Sequence, residues 1–153
     1  MPKKNAGILL YRTKDSHLEI FLVHPGGPFW AKKDKGVWSI PKGEIEGEED
    51  GLETAIRELQ EETGIIATGP FYPLKPITQK AGKIIYAWAM PYDEEILSIK
   101  SNTFQMEWPP KSGVMQSFPE IDKAVWFTVE TAMVKINIAQ QLILLQLFNI
   151  LNA

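Results

Sequence analysis

The sequence predicts an α/β protein in which β-strands are interrupted by one amphipathic helix and followed by another helix at the C-terminus. Two short apolar runs, at 7–11 and 19–23, have strand-like composition and are separated by polar turn residues. A helical pattern follows, in which Ala55 and Leu59 recur at the spacing of one buried face. The 153 residues, of which 44% are hydrophobic, suit one compact domain over 1–153 that needs no disulfides or structural zinc.

The strands are predicted in chain order. The first two are joined by a polar turn at 14–17, and a loop rich in Gly, Pro and Lys then covers 24–36. The apolar run at 6–11 is too short for a signal-peptide core, and no small-residue cleavage site follows it, so we expect a strand there. Beyond the first helix, strand composition recurs at 71–79, 83–90, 103–108 and 124–129.

The last predicted element is a packed helix over 138–151. It is strongly apolar, but it contains several Gln and Asn residues and is shorter than the roughly 20 residues that span a bilayer. We therefore expect no membrane insertion. Apolar side chains surround much of this helix, which leaves two interpretations open: burial against its own core, or contact with a second copy in a homodimer.

Composition excludes several classes of function. The chain has no cysteine, which rules out a thiol nucleophile and a disulfide framework and fits the reducing cytoplasm, where we expect the protein to act. The net charge of −3 argues against an extended basic face for duplex nucleic acid. The glycine-rich loop at 24–36 lacks the spacing of a phosphate-binding P-loop, which disfavours a kinase or ATPase.

Three carboxylates are predicted to share one face of the first helix. Glu58, Glu61 and Glu62 are three and four positions apart, so their side chains should project toward one point. Such like charges repel one another and raise their own pKa values unless a hard divalent cation such as Mg²⁺ or Mn²⁺ neutralises them. The alternative is a solvated acidic face, against which stand Arg57, embedded among the acids, and the loop at Gly43 just upstream.

The limits of this helix are also predicted. Asp50, followed three residues later by Glu53, has the spacing of a capping box, although Asp replaces the usual Ser or Thr. Gly64 stands where a left-handed C-terminal cap is expected.

The acidic helix and the loop before it resemble the signature of the Nudix hydrolase family. That signature is Gly, five residues, Glu, seven residues, and then Arg-Glu-aliphatic-x-Glu-Glu-x-Gly-aliphatic. Its fixed positions are filled here by Gly43, Glu49, Arg57, Glu58, Leu59, Glu61, Glu62, Gly64 and Ile65. The resemblance implies a mixed β-sheet sandwiched between α-helices and metal-dependent cleavage of a phosphoanhydride bond in a nucleotide.

The resemblance also implies roles for these residues. Glu58, Glu61 and Glu62 would be metal ligands, joined by the main-chain carbonyl of Gly43, and Arg57 would orient Glu58. Glu58 is the preferred general base and Glu61 the second choice, whereas Glu49 would support the ligands from outside the metal's own coordination sphere.

A later carboxylate often completes such a site in the family. Glu120, just before the last predicted strand, is the expected additional metal ligand, and Glu107 is its competitor. Either residue is equally open to interpretation as an ordinary loop acid.

Substrate choice must come from outside the signature. The run Trp-x-x-Pro-Lys-Gly ending at Gly43 is reminiscent of family members that hydrolyse dinucleoside polyphosphates. Lys42 is expected to bind a phosphate oxygen, with Lys83 and Lys32 as further phosphate contacts. Tyr86 is the expected aromatic contact in the substrate site, and Trp30 and Trp108 are alternatives for stacking on a purine.

The leading hypothesis is Mg²⁺-dependent hydrolysis of a nucleoside diphosphate linked to another group, with a dinucleoside polyphosphate as the preferred substrate. Three other substrates remain open within the same chemistry: a nucleoside triphosphate, ADP-ribose and the 5′ end of RNA. A hypothesis of a different class is a regulatory module that binds a nucleotide without hydrolysing it.

Overall fold

The computed structural model describes residues 3–94, 99 and 101–152. These residues form nine strands and three α-helices. The strands are β1 (Lys4–Lys14), β2 (His17–Pro25), β3 (Lys42–Glu44), β4 (Tyr72–Pro73), β5 (Ile77–Thr78), β6 (Ile84–Pro91), β7 (Thr103–Glu107), β8 (Met115–Pro119) and β9 (Ile121–Thr128). The helices are α1 (Gly51–Thr63), α2 (Val129–Lys135) and α3 (Gln141–Leu151).

Seven of the described strands form one mixed sheet. Its order is β4-β6-β1-β2-β9, with β3 paired to β1 and β5 paired to β6. Strands β1 and β6 are parallel, and the other pairs are antiparallel. Strands β7 and β8 form a separate antiparallel hairpin.

Helices cover both faces of the sheet. Ile8 and Leu10 of β1 join one core cluster with Leu59 of α1, whereas Leu9, between them, joins a second cluster with Leu144 of α3. Successive strand side chains point to opposite faces, so this alternation requires a partner layer on each side. The predicted sandwich of a mixed sheet between helices is confirmed.

The first hairpin agrees with the prediction and extends beyond it. Lys14 pairs with His17, which leaves Asp15 and Ser16 as the two turn residues, both with positive φ. Two such residues match the twist of the flanking strands. The apolar runs marked only the buried middle of each strand, because the polar ends still pair through the main chain.

Four parts of the fold differ from the prediction, the first being strand β3, which was not predicted. The expected strand at 71–79 is split into β4 and β5, since Pro73 and Pro76 cannot donate to a ladder. Strand β8 was not predicted, because its residues are mostly exposed and give no alternation of buried and exposed positions. Helix α2 was also missed; it begins after Thr128, whose side chain accepts a hydrogen bond from the Thr131 N–H.

The C-terminal helix is divided between a buried and an exposed face. It begins as one 3₁₀ turn and continues as α3, in which Ile143, Leu144 and Leu147 are buried. Leu145 and Phe148 remain nearly half exposed, so association through this face stays a prediction. No helix in the described part of the chain is long and apolar enough to span a bilayer.

Candidate active site

Helix α1 carries most of the site and is fixed at both ends. The Asp50 carboxylate accepts a hydrogen bond from the Glu53 N–H at 3.1 Å, which confirms the predicted N-cap. Gly64 has φ of 82° and its N–H donates to the Gln60 carbonyl at 2.8 Å, as expected of a left-handed C-cap. The two caps fix the length of the helix and hence which face the acids occupy.

Arg57 joins three of the acids. Its Nε and Nη2 donate to the two oxygens of Glu49, each at 3.0 Å, in a bidentate fork. Its Nη1 donates to Glu58 at 3.1 Å and to Glu61 at 3.2 Å. The Arg57 bond lowers the pKa of Glu49 to about 2, so Glu49 is an ionised anchor for the guanidinium.

The Glu58 carboxylate lies directly against the main chain of Gly43. A Cβ atom at Gly43 would be 1.9 Å from Glu58 Cδ, so only glycine permits this approach. Strand β3 brings Gly43 there by pairing it with Ala6 of β1. Burial raises the pKa of Glu58, although the Arg57 charge opposes this shift.

Glu62 is the most deeply buried acid of the helix, with 8% of its surface exposed. Its Oε2 has no hydrogen-bond partner among the described residues. Burial, followed by the charge of Glu58, raises the pKa of Glu62 to about 8, while the Lys42 ammonium and main-chain N–H act in the opposite direction. Repulsion between the acids was expected to raise their pKa values, but burial has the larger effect.

The predicted convergence of the three carboxylates on one point is not seen in this conformation. Among the residues described, no three acidic or histidine side chains are close enough to enclose a metal ion. In this conformation the acids are paired with cations of the protein: Arg57 bridges Glu58 and Glu61, and Lys42 lies beside Glu62. The partnerless Glu62 oxygen and the glycine cradle beneath Glu58 nevertheless suit a hard divalent cation, which prefers oxygen ligands.

Glu120 is brought to the same region from the β8–β9 junction. Its carbonyl accepts from the Gly26 N–H and its own N–H donates to the Asn102 carbonyl, both at 2.8 Å. Its charge raises the pKa of Glu58 and of Glu62, which places it near both carboxylates. The competitor, Glu107, instead accepts hydrogen bonds from two main-chain N–H groups in the β7–β8 turn.

A cleft with a cavity volume of about 270 Å³ opens beside Glu62 and Lys42, and we call it the Lys42 cleft. Its other lining residues include Trp30, Ser39, Gln79 and Gln140. Burial, and then the charge of Lys83, lowers the pKa of Lys42. The ammonium of Lys42 therefore lies at the junction between the acids and the cleft.

The four residues predicted to bind substrate are not brought together. Lys42 lines the cleft, and Lys83 is close enough to affect its pKa. Tyr86 lines a different groove, with Trp88 and Glu49, and is not among the residues that line the Lys42 cleft. Lys32 is exposed on the loop before β3 and is also not a lining residue.

His24 links three segments of the chain. It is buried, with Nδ1 2.7 Å from an Asp122 oxygen and Nε2 2.6 Å from the Lys33 carbonyl. Its ring therefore ties β2 to β9 and to the loop that carries Trp30. The cleft residues Gln79 and Gln140 were missed, because no local pattern distinguishes a cleft amide from a surface amide.

Comparison with known proteins identifies the family. A family model described as NUDIX domain matches residues 1–144, so the chain belongs to the NUDIX domain family. Nudix hydrolase 7 of Arabidopsis thaliana is 33% identical over 100 residues, which cover 60% of this chain and 34% of that protein. The rat asymmetrical bis(5′-nucleosyl)-tetraphosphatase is 40% identical over 68 residues, which cover 39% of this chain and 46% of that protein. The chain thus spans less than half the length of either relative.

Solved structures share the fold. An Ap4A hydrolase binary complex from C. elegans superimposes with a TM-score of 0.67 at 20% identity, over 98% of each chain. The NUDIX domain of Shewanella oneidensis NrtR, complexed with ADP ribose, superimposes with a TM-score of 0.69 at 16% identity, over 99% of this chain and 89% of that one.

Proposed function

We propose that this protein is a metal-dependent pyrophosphohydrolase that cleaves a phosphoanhydride bond in a nucleoside diphosphate linked to another group. The observation that carries the proposal is the partnerless, buried oxygen of Glu62 beside the Lys42 ammonium. An acceptor oxygen suits a cation and an ammonium suits a phosphate, and here the two adjoin at the edge of one cleft.

The metal would be Mg²⁺ or Mn²⁺, held by Glu58, Glu61 and Glu62, with the Gly43 carbonyl and Glu120 as further ligands. When bound, it would neutralise phosphate charge and lower the pKa of the attacking water. Glu61 would have to exchange its present contact with Arg57 for a contact with the cation.

The protein groups supply the remaining chemistry. Glu58 accepts the proton of the attacking water. Burial raises the pKa of this carboxylate, which makes it a stronger base than a solvated glutamate. Arg57, anchored by Glu49, keeps Glu58 oriented while the proton moves. Lys42 pairs with a phosphate oxygen and positions the scissile bond.

A dinucleoside polyphosphate is the first substrate to test. The rat relative is named as an asymmetrical bis(5′-nucleosyl)-tetraphosphatase, and the Trp-x-x-Pro-Lys-Gly run supports the same class. A nucleoside triphosphate, ADP-ribose and a 5′-triphosphorylated RNA complete the panel. Protein stripped with EDTA is assayed with and without Mg²⁺ or Mn²⁺, and product masses after reaction in H₂¹⁸O identify the bond that is cleaved.

The matched variants are Glu58→Gln and Glu48→Gln. We expect Glu58→Gln to lower kcat by about 10²- to 10⁴-fold, which is the usual contribution of a general base. Glu48 is exposed and occupies a variable position of the signature, so its identical chemical change should leave kcat unaltered. Hydrolysis that needs no added metal, or that survives in Glu58→Gln, contradicts the proposal. Tight nucleotide binding without hydrolysis would favour the regulatory alternative.

A further inference from the structure

Two residues that line the Lys42 cleft each have a buried side-chain oxygen without a partner among the described residues: Oε2 of Glu62 and Oε1 of Gln79. Buried polar atoms in proteins nearly always have a hydrogen-bond partner, so an exception needs an explanation such as a ligand. Metal binding accounts for the Glu62 oxygen. No step of the proposed hydrolysis uses Gln79.

Gln79 is held in place by the β5–β6 turn. Its N–H donates to the Lys83 carbonyl at 2.7 Å, and its carbonyl accepts from the Gly82 N–H at 3.1 Å. With its main chain fixed in this way, Gln79 is held in the wall of the cleft, and a ligand can bind there without the cost of ordering a mobile loop.

Other amide and hydroxyl groups of the cleft are already engaged. Gln140 accepts a hydrogen bond from the Ile40 N–H at 3.1 Å and donates to Ser39 Oγ at 3.0 Å. Ser39 Oγ in turn donates to the Ile40 carbonyl at 2.7 Å. These groups already have hydrogen-bond partners in one another. Gln79 Oε1 has none in the described part of the chain, so it is better suited to accept a hydrogen bond from a ligand.

The cleft has room for one nucleoside. Its volume of about 270 Å³ is close to the ~300 Å³ at the small end of ligand pockets, which suits one nucleoside but not both halves of a dinucleotide. Trp30 on its wall offers an aromatic face on which a base can stack. Lys42, at the edge next to the acids, leaves the phosphates outside the base-binding part.

We infer that the cleft selects nucleotides whose base carries an exocyclic amino group, and that Gln79 Oε1 accepts a hydrogen bond from that group. This specificity rests on the proposed function, since the base arrives as part of the nucleotide substrate. In a base with a carbonyl group in the same place, the carbonyl oxygen would face Gln79 Oε1. Both atoms are acceptors, so neither would form a hydrogen bond. Adenine is the simplest base with such an amine, and the same base without the amine is its matched probe.

The test measures binding separately from catalysis. Dissociation constants of AMP and of purine riboside monophosphate, which lacks only the 6-amino group, are measured by calorimetry in EDTA. We expect AMP to bind about tenfold more tightly, the effect of one net hydrogen bond. Equal affinities, or no measurable binding of either compound, overturn the inference.

Variants assign the effect to Gln79. Gln79→Met should bind the two compounds equally, whereas Gln79→Glu keeps an acceptor oxygen and should keep the preference for the amine. Gln105→Met, the same change on the exposed β7 strand, should behave like the wild type. Trp30→Ala should weaken both compounds by the same factor, because stacking does not depend on the amine. A preference that persists in Gln79→Met contradicts the assignment.

Failure of this inference is distinguishable from failure of the proposed function. Metal-dependent hydrolysis with equal kcat/KM for adenine and des-amino substrates would refute the role of Gln79 and leave the hydrolase function standing. Amine-dependent binding that Gln79→Met abolishes, in a protein that hydrolyses no diphosphate, removes the hydrolase and leaves the role of Gln79 intact.

Discussion

Replacing Gly43 with alanine should displace the Glu58 carboxylate without touching any acid. The new Cβ would be 1.9 Å from Glu58 Cδ and 2.3 Å from both carboxylate oxygens. Real Cβ contacts are essentially never under 3.0 Å, so the carboxylate must retreat or strand β3 must separate from α1. A shift of about 1 Å at a reacting group costs about 10²-fold in rate, which is the loss of kcat that we expect.

The assay compares kcat at saturating Mg²⁺, the affinity for Mg²⁺ and the free energy of unfolding in urea. Overpacking of this kind lowers stability by about 1–3 kcal/mol, which leaves a folded protein to assay if the parent has ordinary stability. Gly43→Ala should therefore remain folded while its kcat falls sharply. The unfolding curve identifies a variant that simply fails to fold.

A double variant provides the control. Glu58→Asp shortens the side chain by one methylene and leaves room for the new Cβ. Gly43→Ala combined with Glu58→Asp should therefore lose less activity than the product of the two single losses. Full activity and unaltered Mg²⁺ affinity in Gly43→Ala alone would refute the argument that Glu58 works against this glycine.

Three further predictions follow from the charges and surfaces. The raised pKa of Glu62 means that the folded, metal-free protein holds a proton between about pH 4.5 and pH 8 that the unfolded chain has released. The free energy of unfolding, measured in urea with EDTA present, should therefore fall as pH rises through that window. Glu62→Gln should flatten this dependence on pH. An unaltered dependence in Glu62→Gln would assign the effect to another group. Arg57→Lys cannot form the fork with Glu49, so we expect a loss of kcat of about tenfold to hundredfold. In a double-mutant cycle the losses caused by Arg57→Lys and Glu49→Gln should not be additive. Simple additivity would show that Glu49 does not act through Arg57. Association through α3 predicts concentration-dependent sedimentation that Leu145→Glu abolishes, and a single monomeric species at all concentrations would exclude it.

Helix α1 was predictable because its determinants are local. Asp50 and Gly64 cap it through bonds that reach only three or four residues along the chain. Its apolar stripe and acidic face follow from the helical period. Contacts made by side chains with the rest of the protein were not predictable in this way, and the positions of the cations beside Glu58 and Glu62 depend on such contacts.

The Lys42 cleft shows why the substrate site was harder to predict. Ser39 and Gln140 hydrogen-bond across 101 positions of sequence, and Gln79 enters from a third segment. Each looks like an ordinary polar residue in its own surroundings. Tyr86 was expected to contact the substrate through its aromatic ring, but it lines a different groove with Trp88.

The cations of the site act as internal counterions. Glu58 and Glu61 share Arg57, and Glu62 lies beside Lys42 when it loses its proton, so the mutual repulsion of the acids is partly relieved before any metal binds. A bound cation would take over that neutralisation and free the Lys42 ammonium to pair with substrate phosphate. Metal and phosphate binding should therefore be cooperative, because each makes available the partner that the other requires.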